Sequence, residues 1–161
     1  MSIEENLIAM GLTLPPVREK TIANIAKTVR SGSMMYVSGH GPIGTDGVKY
    51  HGHLGAEITV SQGYDAARLS ILGCLSSIKR AVDSLDRIAR VVKILVFVSS
   101  APGFNEQPLV ANGASDLLLR LFGERGIHGR SAIGVAELPL NMPVEIEMIV
   151  ELDDVVPEQK R

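Results

Sequence analysis

The chain has 161 residues, of which 45% are apolar and 21% charged, so it fits a single domain over 1–161 and is not a disordered protein. The net charge of −2 and an aromatic content of 4% argue against a nucleic-acid partner, because neither a basic patch nor a stacking surface is provided. A single cysteine, no signal-peptide pattern and no long apolar run predict a cytoplasmic protein without a membrane partner.

The hydrophobic pattern predicts the order β-β-(β)-α-β-α-β-β after a short N-terminal helix. The predicted elements are, in chain order, a helix over 3–11, strands on either side of a Ser-Gly-Ser turn that follows Val29 and precedes Met34, a weak strand near 48–50, a helix over 61–84, a strand over 90–100, a helix over 110–126, and strands over 130–137 and 144–152. Pro15 and Pro16 break the first helix, so residues 1–21 are interpreted as an extension of a core at about 22–152.

The two long helices and the strand between them have the clearest patterns. Apolar residues recur at steps of four and three from Ile71 to Leu85, and Thr59 is suited to cap this helix. The run RVVKILVFVSS is almost continuously apolar, which predicts a central strand buried on both faces. The segment VANGASDLLLRLF predicts the second helix, ending near Gly123 or Gly126.

This order predicts an α+β fold, a mixed sheet with two helices packed on one face. One helical layer leaves the other face bare, which predicts an oligomer interface there. In the last strand, Glu145 and Glu147 share the face opposite an apolar row. In the strand before it, Arg130 shares a face with the small residues Ala132 and Gly134, and we expect another subunit to come close there.

The charged residues of these strands each have two interpretations. Arg130 is either a solvated strand-end arginine paired with a surface glutamate, or a clamp whose planar guanidinium offers two parallel donors to a carboxylate. Glu145 and Glu147 are either an exposed acidic face or a pair able to do acid–base work. A simple hairpin would set Arg130 opposite Glu151, so local geometry alone does not bring Arg130 and Glu145 together.

The histidines and the cysteine give weaker signals. His51 and His53 lie two residues apart in a loop, too few ligands for a metal site without a second cluster, so no metal is predicted. His40 and His128, each next to glycine, are either turn residues or lie beside a ligand. Cys74 is predicted to pack at the edge of a buried helix face, because no base or positive charge lies nearby to activate it. The segment SGHGP does not match a dinucleotide motif, although its N–H groups are able to hold a small anion.

Three segments, SGHGP after a strand, KILVFVSSAPGF, and RSAIGVAELPLNMPVEIEMI, together resemble the reactive intermediate deaminase (Rid, YjgF-type) family. This family has also been labelled translation inhibitor or L-PSP endoribonuclease. The ending R-S-x-x-x-V-x-x-L-P…V-E-I-E is the most specific part, and the resemblance covers about residues 22–152. The helix VANGASDLLLRLFGERGIHGRSA is similar to a divergent subgroup of the family.

The resemblance implies a chorismate-mutase-like fold assembled as a homotrimer with ligand clefts between subunits, in which the last two strands do not form a simple hairpin. It implies that Arg130 clamps a carboxylate and that Glu145 positions the attacking water. It places Asn112, in the first turn of the second helix, and the Gly39 backbone in the cleft. His40, next to Gly39, is predicted to contact the substrate as well.

The resemblance further implies hydrolytic deamination of small 2-imino or enamine acids to 2-keto acids and ammonia, with no cofactor. The family's cleft tyrosine falls near Ile25, its cysteine falls on Ala132, and the loop over 102–112 is longer. These departures keep open the alternative of a non-catalytic or regulatory trimer that binds small carboxylates. The acidic net charge and the few aromatics argue against the ribonuclease activity in the family's label.

Overall fold

The computed structural model of the protein describes residues 1–17 and 24–153. Within them the α-helices are α1 (Ile3–Ala9), α2 (Val60–Val82) and α3 (Gln107–Phe122), and short 3₁₀ turns cover Leu85–Arg87, Gly123–Gly126 and Pro139–Asn141. The strands are β1 (Thr28–Ser31), β2 (Met34–His40), β3 (Ile43–Gly44), β4 (Gly47–Val48), β5 (Ile88–Ser99), β6 (Gly129–Val135) and β7 (Val144–Leu152). None of the helices in these two ranges is long and apolar enough to cross a membrane.

Five strands form one mixed sheet in the order β1-β2-β7-β5-β6, while β3 and β4 form a separate small hairpin. β5 and β6 run parallel, and the other neighbours run antiparallel. α2 and α3 pack against each other and against the sheet, and α1 packs on α3. The predicted α+β class is therefore confirmed. Because β5 lies between β6 and β7, the last two strands are not a hairpin.

The residues at the N-termini of α2 and α3 explain where these two helices begin. Thr59 caps α2 through a capping box, since its hydroxyl accepts from Gln62 N at 3.2 Å and Gln62 Oε1 accepts from Thr59 N at 2.9 Å. α3 begins at Gln107, three residues earlier than predicted, with Pro108 in its first turn, where a missing N–H costs nothing. Asn112 consequently lies in the second turn of α3 and not in the first.

The prediction that β5 is buried on both faces is wrong. Ile94 and Val96 are fully buried under the helices, but the alternate residues Leu95 and Phe97 are only half-buried and Lys93 is exposed. A run of apolar and β-branched residues reports a preference for extended structure, and it does not report whether a second layer covers the strand.

The apolar row of β7 faces the helices as predicted, but the prediction for β6 is wrong. Arg130 pairs in register with the fully buried Ile94, so Arg130 and Ala132 lie on the helix-covered face of the sheet. A Cβ added at Gly134 would come within 2.8 Å of Gln107 Nε2 at the start of α3. The small residues of β6 therefore make room for α3, not for a second subunit.

The other face of the sheet is uncovered in a single chain. Tyr36 and Ile133 are 48% and 45% exposed there, and Val29 pairs with Tyr36 across the β1–β2 ladder. Half-buried Phe97 lies next to Ile133 on this face. An apolar surface of this kind in a folded chain is typical of an interaction site.

Candidate functional site

Arg130 is held at the edge of the sheet by α3. Its Nη1 donates to Asn112 Oδ1 at 2.9 Å and to Ser115 Oγ at 3.0 Å, and the side chain is half-buried. No carboxylate among residues 1–17 and 24–153 forms an ion pair with it. The interpretation of Arg130 as one half of a surface ion pair is therefore not what the described residues show.

The remaining edge of the guanidinium is open. Nη1 is occupied by the two α3 side chains, whereas Nε and Nη2 make no hydrogen bond within the part of the chain that the structure describes. These two N–H groups point in parallel, which matches the two oxygens of a carboxylate. Arg130 is thus held in place by neutral partners and keeps a bidentate donor edge for an anion.

Ser115 links Arg130 to His128. His128 Nδ1 donates to Gly126 O at 2.6 Å, and His128 Nε2 accepts from Ser115 Oγ at 3.1 Å. Burial lowers the pKa of His128, the bond to Gly126 opposes this, and the charge of Arg130 lowers the pKa further. We call Arg130, Asn112, Ser115 and His128 the Arg130 half-site. Sequence reasoning missed Ser115, although it follows Asn112 by three residues and so shares its helix face.

Glu145 lies elsewhere, near the start of β7 and beside Gly39. A Cβ added at Gly39 would overlap Glu145 Oε1, so only glycine leaves room for the carboxylate. Burial raises the pKa of Glu145, the nearby Glu147 raises it further, and the positive charge of Lys27 lowers it. The carboxyl group is therefore shifted toward the neutral range, where it can exchange protons.

A cavity of about 120 Å³ opens beside Glu145 at the end of the sheet, where a bulge after Val37 shifts the register between β2 and β7. Its walls include Pro15, Val17, Lys27, Gly39, His40 and Met142, and we call it the Glu145 cavity. Glu145, Gly39, Lys27 and this cavity form the Glu145 half-site.

His40 lines the Glu145 cavity without a free ring nitrogen. Its Nδ1 donates to Ser38 O at 2.6 Å, and its Nε2 accepts from Ser77 Oγ at 2.8 Å. Burial lowers the pKa of His40, the bond to Ser38 opposes this, and the charge of Lys27 lowers it further. The predicted contact of His40 with a substrate stays a prediction, and any such contact would come from the ring carbons.

The two half-sites do not meet within one chain. β5 separates β6 from β7, so Arg130 and Glu145 are two strand spacings apart, roughly 10 Å, before any offset along the strands. Arg130 faces the helices, whereas strand alternation puts Glu145 on the other face. Within one chain, Arg130 and Glu145 therefore do not line the same cleft.

The sequence matches, over residues 4–152, the family described as "YjgF/chorismate_mutase-like, putative endoribonuclease". The chain belongs to this family. The match begins at residue 4, so it takes in α1 and the residues that lead from α1 to the Glu145 cavity.

Relatives of this YjgF-like chain have a similar length. Protein TCP17 of Trypanosoma cruzi is 44% identical over 94% of this chain and 95% of its own. The Agrobacterium tumefaciens protein Atu1372 is 41% identical with a TM-score of 0.88, covering 94% of this chain and 92% of that one. A Shewanella oneidensis protein with the same endoribonuclease description is 35% identical with a TM-score of 0.90, covering 94% of this chain and all of the other.

In this YjgF-like chain, His51, His53 and Cys74 make contacts that support the fold. His51 and His53 each bond to a backbone carbonyl, at 3.1 Å from Leu140 O and from Ala136 O. No group of three metal-ligating side chains is found in residues 1–17 and 24–153. Cys74 is fully buried, and burial raises the pKa of its thiol, so it packs as a core residue.

Proposed function

We propose that the chain is a cytoplasmic deaminase that hydrolyses small 2-imino and enamine acids to 2-keto acids and ammonia in clefts between the subunits of a homotrimer. The observation that carries the proposal is the half-buried guanidinium of Arg130, fixed through Nη1 and open along Nε and Nη2. Such an edge is suited to a substrate carboxylate, and the substrate class shares that group.

The separation of the two half-sites supports an assembly of several chains. The uncovered sheet face carries apolar side chains such as Tyr36 and Ile133, and Glu145 lies at the end of this face. Contact between copies through this face would remove apolar surface from water and would bring Glu145 close to a neighbouring chain. Each cleft of the trimer then combines Arg130 of one chain with Glu145 of the next.

In the cleft, Arg130 would hold the carboxylate, which fixes the position of the imine carbon. Glu145 accepts a proton from water as the oxygen adds to the protonated imine, and this step gives a carbinolamine. Glu145 then returns that proton to the nitrogen, and it takes the hydroxyl proton as the C–N bond breaks. Ammonia and the 2-keto acid leave, and the proton on Glu145 passes to solvent. A carboxyl group with a raised pKa suits both transfers.

A second candidate is a trimer that binds small carboxylates without turning them over. The family's cleft tyrosine corresponds to a position near Ile25 in this sequence. Ile25 is 58% exposed and offers no hydroxyl group to a substrate. The Arg130 half-site would be intact in such a protein, so binding alone does not separate the two candidates. Keto-acid formation separates them.

The family's description also names an endoribonuclease, but the net charge of −2 gives this chain little attraction for a phosphate backbone. The same variants can test that activity. RNA cleavage that is equal in wild-type protein and Arg130→Ala, and that separates from the protein on a column, would come from a contaminant.

The test uses 2-imino acids made in situ from amino acids by an amino-acid oxidase, with keto-acid formation followed over time. We expect the wild-type protein to accelerate hydrolysis, and Arg130→Ala to lower kcat/KM by at least about 100-fold because the carboxylate is no longer held. Arg120→Ala, which removes an exposed arginine of α3 away from the uncovered sheet face, is the matched control and should keep full activity. Unchanged turnover in Arg130→Ala would refute the proposal, and binding of 2-ketobutyrate without any turnover would select the second candidate.

A further inference from the structure

Hydrogen bonds attach residues 1–17, which precede β1, to the rest of the domain at two places. α1 buries Ile3 and Leu7, each 3% exposed, in the main core. Ile3 N donates to Asp86 Oδ1 at 3.0 Å, and Leu85 N donates to Glu4 Oε1 at 2.9 Å. α1 is therefore fixed to the 3₁₀ turn that follows α2.

The second attachment lies at the Glu145 cavity. Ser76 Oγ, on α2, donates to Pro15 O at 2.5 Å. Pro15, Pro16 and Val17 then line the cavity together with Ser76. Two consecutive prolines have fixed φ angles, so this stretch is stiffer than an ordinary loop. We call residues 15–17 the proline wall.

The opposite sides of the cavity leave little room for expansion. A Cβ added at Gly41 would overlap Met142 Sδ, and a Cβ added at Gly73 would lie 3.1 Å from His40 Cδ2. His40 is itself held at both ring nitrogens. The volume of about 120 Å³ corresponds to about four water molecules. The cavity is therefore bounded on one part of its wall by these closely packed groups and on another by the proline wall.

In the proposed reaction, the imine carbon carries the carboxylate, the nitrogen and one side chain. The carboxylate goes to Arg130, and the nitrogen and the attacking water go to Glu145. The Glu145 cavity is the space left for the side chain. Its walls are mainly apolar, with Pro16, Val17, Ile43 and Met142 among them, so an aliphatic group fits better than a charged one.

We propose that the proline wall determines substrate size, so that the protein acts on 2-imino acids whose side chains have no more than about four non-hydrogen atoms. This inference rests on the proposed function and deepens it. Pro16 and Val17 are the specificity-determining side chains, and Ser76 is a positioning residue that acts through Pro15.

The experiment compares kcat/KM across imino acids derived from alanine, 2-aminobutyrate, leucine and phenylalanine. For the wild-type protein we expect a fall of about 10-fold or more between the second and the last of these, since a filled apolar pocket discriminates to about this extent. Val17→Gly should raise kcat/KM for the phenylalanine imine by about 10-fold relative to the alanine imine, and the leucine imine, whose side chain is at the size limit, should gain less. Ser76→Ala, which removes the hydrogen bond to Pro15 and one hydroxyl group from the cavity wall, should move the preference in the same direction by less.

Ser70→Ala is the matched control. Ser70 is a buried serine on the same helix, and its hydroxyl bonds within the helix to Ala66 O at 2.9 Å. It should leave the preference unchanged. Thermal unfolding of each variant checks that a lost activity is not a lost fold.

The outcomes separate this inference from the proposed function. Equal turnover of small and large imines by wild-type protein, or an unchanged preference in both Val17→Gly and Ser76→Ala, overturns the inference and leaves the deaminase intact. If no imine is hydrolysed, the deaminase proposal fails, and the Kd values of the four matching 2-keto acids decide the inference. Kd values that rise with side-chain size, and that Val17→Gly makes less dependent on size, would support the role of the proline wall. Kd values independent of side-chain size would overturn the inference.

Discussion

The two half-sites are built in different ways. In the Arg130 half-site, the guanidinium is held by two hydrogen bonds that it donates to side chains of α3, and a third hydrogen bond joins Ser115 to His128. Glu145 makes no hydrogen bond within the described residues and is placed by the lack of a side chain at Gly39. The guanidinium of Arg130 is held in place and charged, which suits binding, and the carboxyl group of Glu145 has a raised pKa, which suits proton transfer. In the proposed function, the fold separates binding from chemistry and leaves their combination to the assembly.

Mixing two inactive variants tests this division most strongly. Arg130→Ala and Glu145→Gln should each lower kcat/KM by at least about 100-fold, because each removes one half of every cleft. Unfolded together in equal amounts and refolded, they should recover about one quarter of the wild-type activity, since random assembly gives that share of clefts both intact halves.

Each variant refolded alone is the control for the mixing experiment. Carboxylate binding should persist in Glu145→Gln and be lost in Arg130→Ala. No recovery in a mixture of folded oligomers would show that the two residues do not share a cleft between chains.

The pH dependence of kcat/KM should respond in opposite directions to two neighbours of Glu145. Glu145 must be ionised to accept a proton, so activity should fall as the pH drops through its raised pKa. Glu147→Gln removes a negative neighbour that raises this pKa and should move the acid limb to lower pH. Lys27→Met removes a positive charge that lowers this pKa and should move the limb to higher pH. Glu151→Gln, further along β7, is the control, and a shift in the same direction for both variants would contradict the assignment.

The smallest expected effect concerns the partners of Arg130. Ser115→Ala removes one of the two acceptors of Arg130 Nη1 and should weaken binding of 2-ketobutyrate by about 3- to 10-fold, the usual effect of losing one hydrogen bond.

A bound carboxylate should also change the pKa of His128. The charge of Arg130 lowers this pKa, and the carboxylate should offset that charge, so the pKa of His128 should rise when the ligand binds. NMR titration of His128 with and without ligand measures this, and Arg130→Ala should abolish the difference. If the pKa of His128 does not change when the ligand binds, this histidine is not coupled to the site.

Much of the fold could be predicted because its local signals agree. The apolar steps from Ile71 onward and the capping residue Thr59 predicted α2 to within one or two residues. The start of α3 was missed because Pro108 was taken as a loop signal, although the first turn of a helix tolerates proline. That error also put Asn112 one turn too early, and its contact with Arg130 could not be read from the helix pattern.

The sequence by itself determined the order of the elements, the alternation within each strand, and the residue types at 130 and 145. Only the tertiary structure decided that Arg130 faces α3, that β5 lies between β6 and β7, and that residues 15–17 line the Glu145 cavity. The physical reason is that alternation and periodicity depend on neighbours along the chain. Which face is covered, and which distant segment covers it, depends on contacts between residues far apart in sequence.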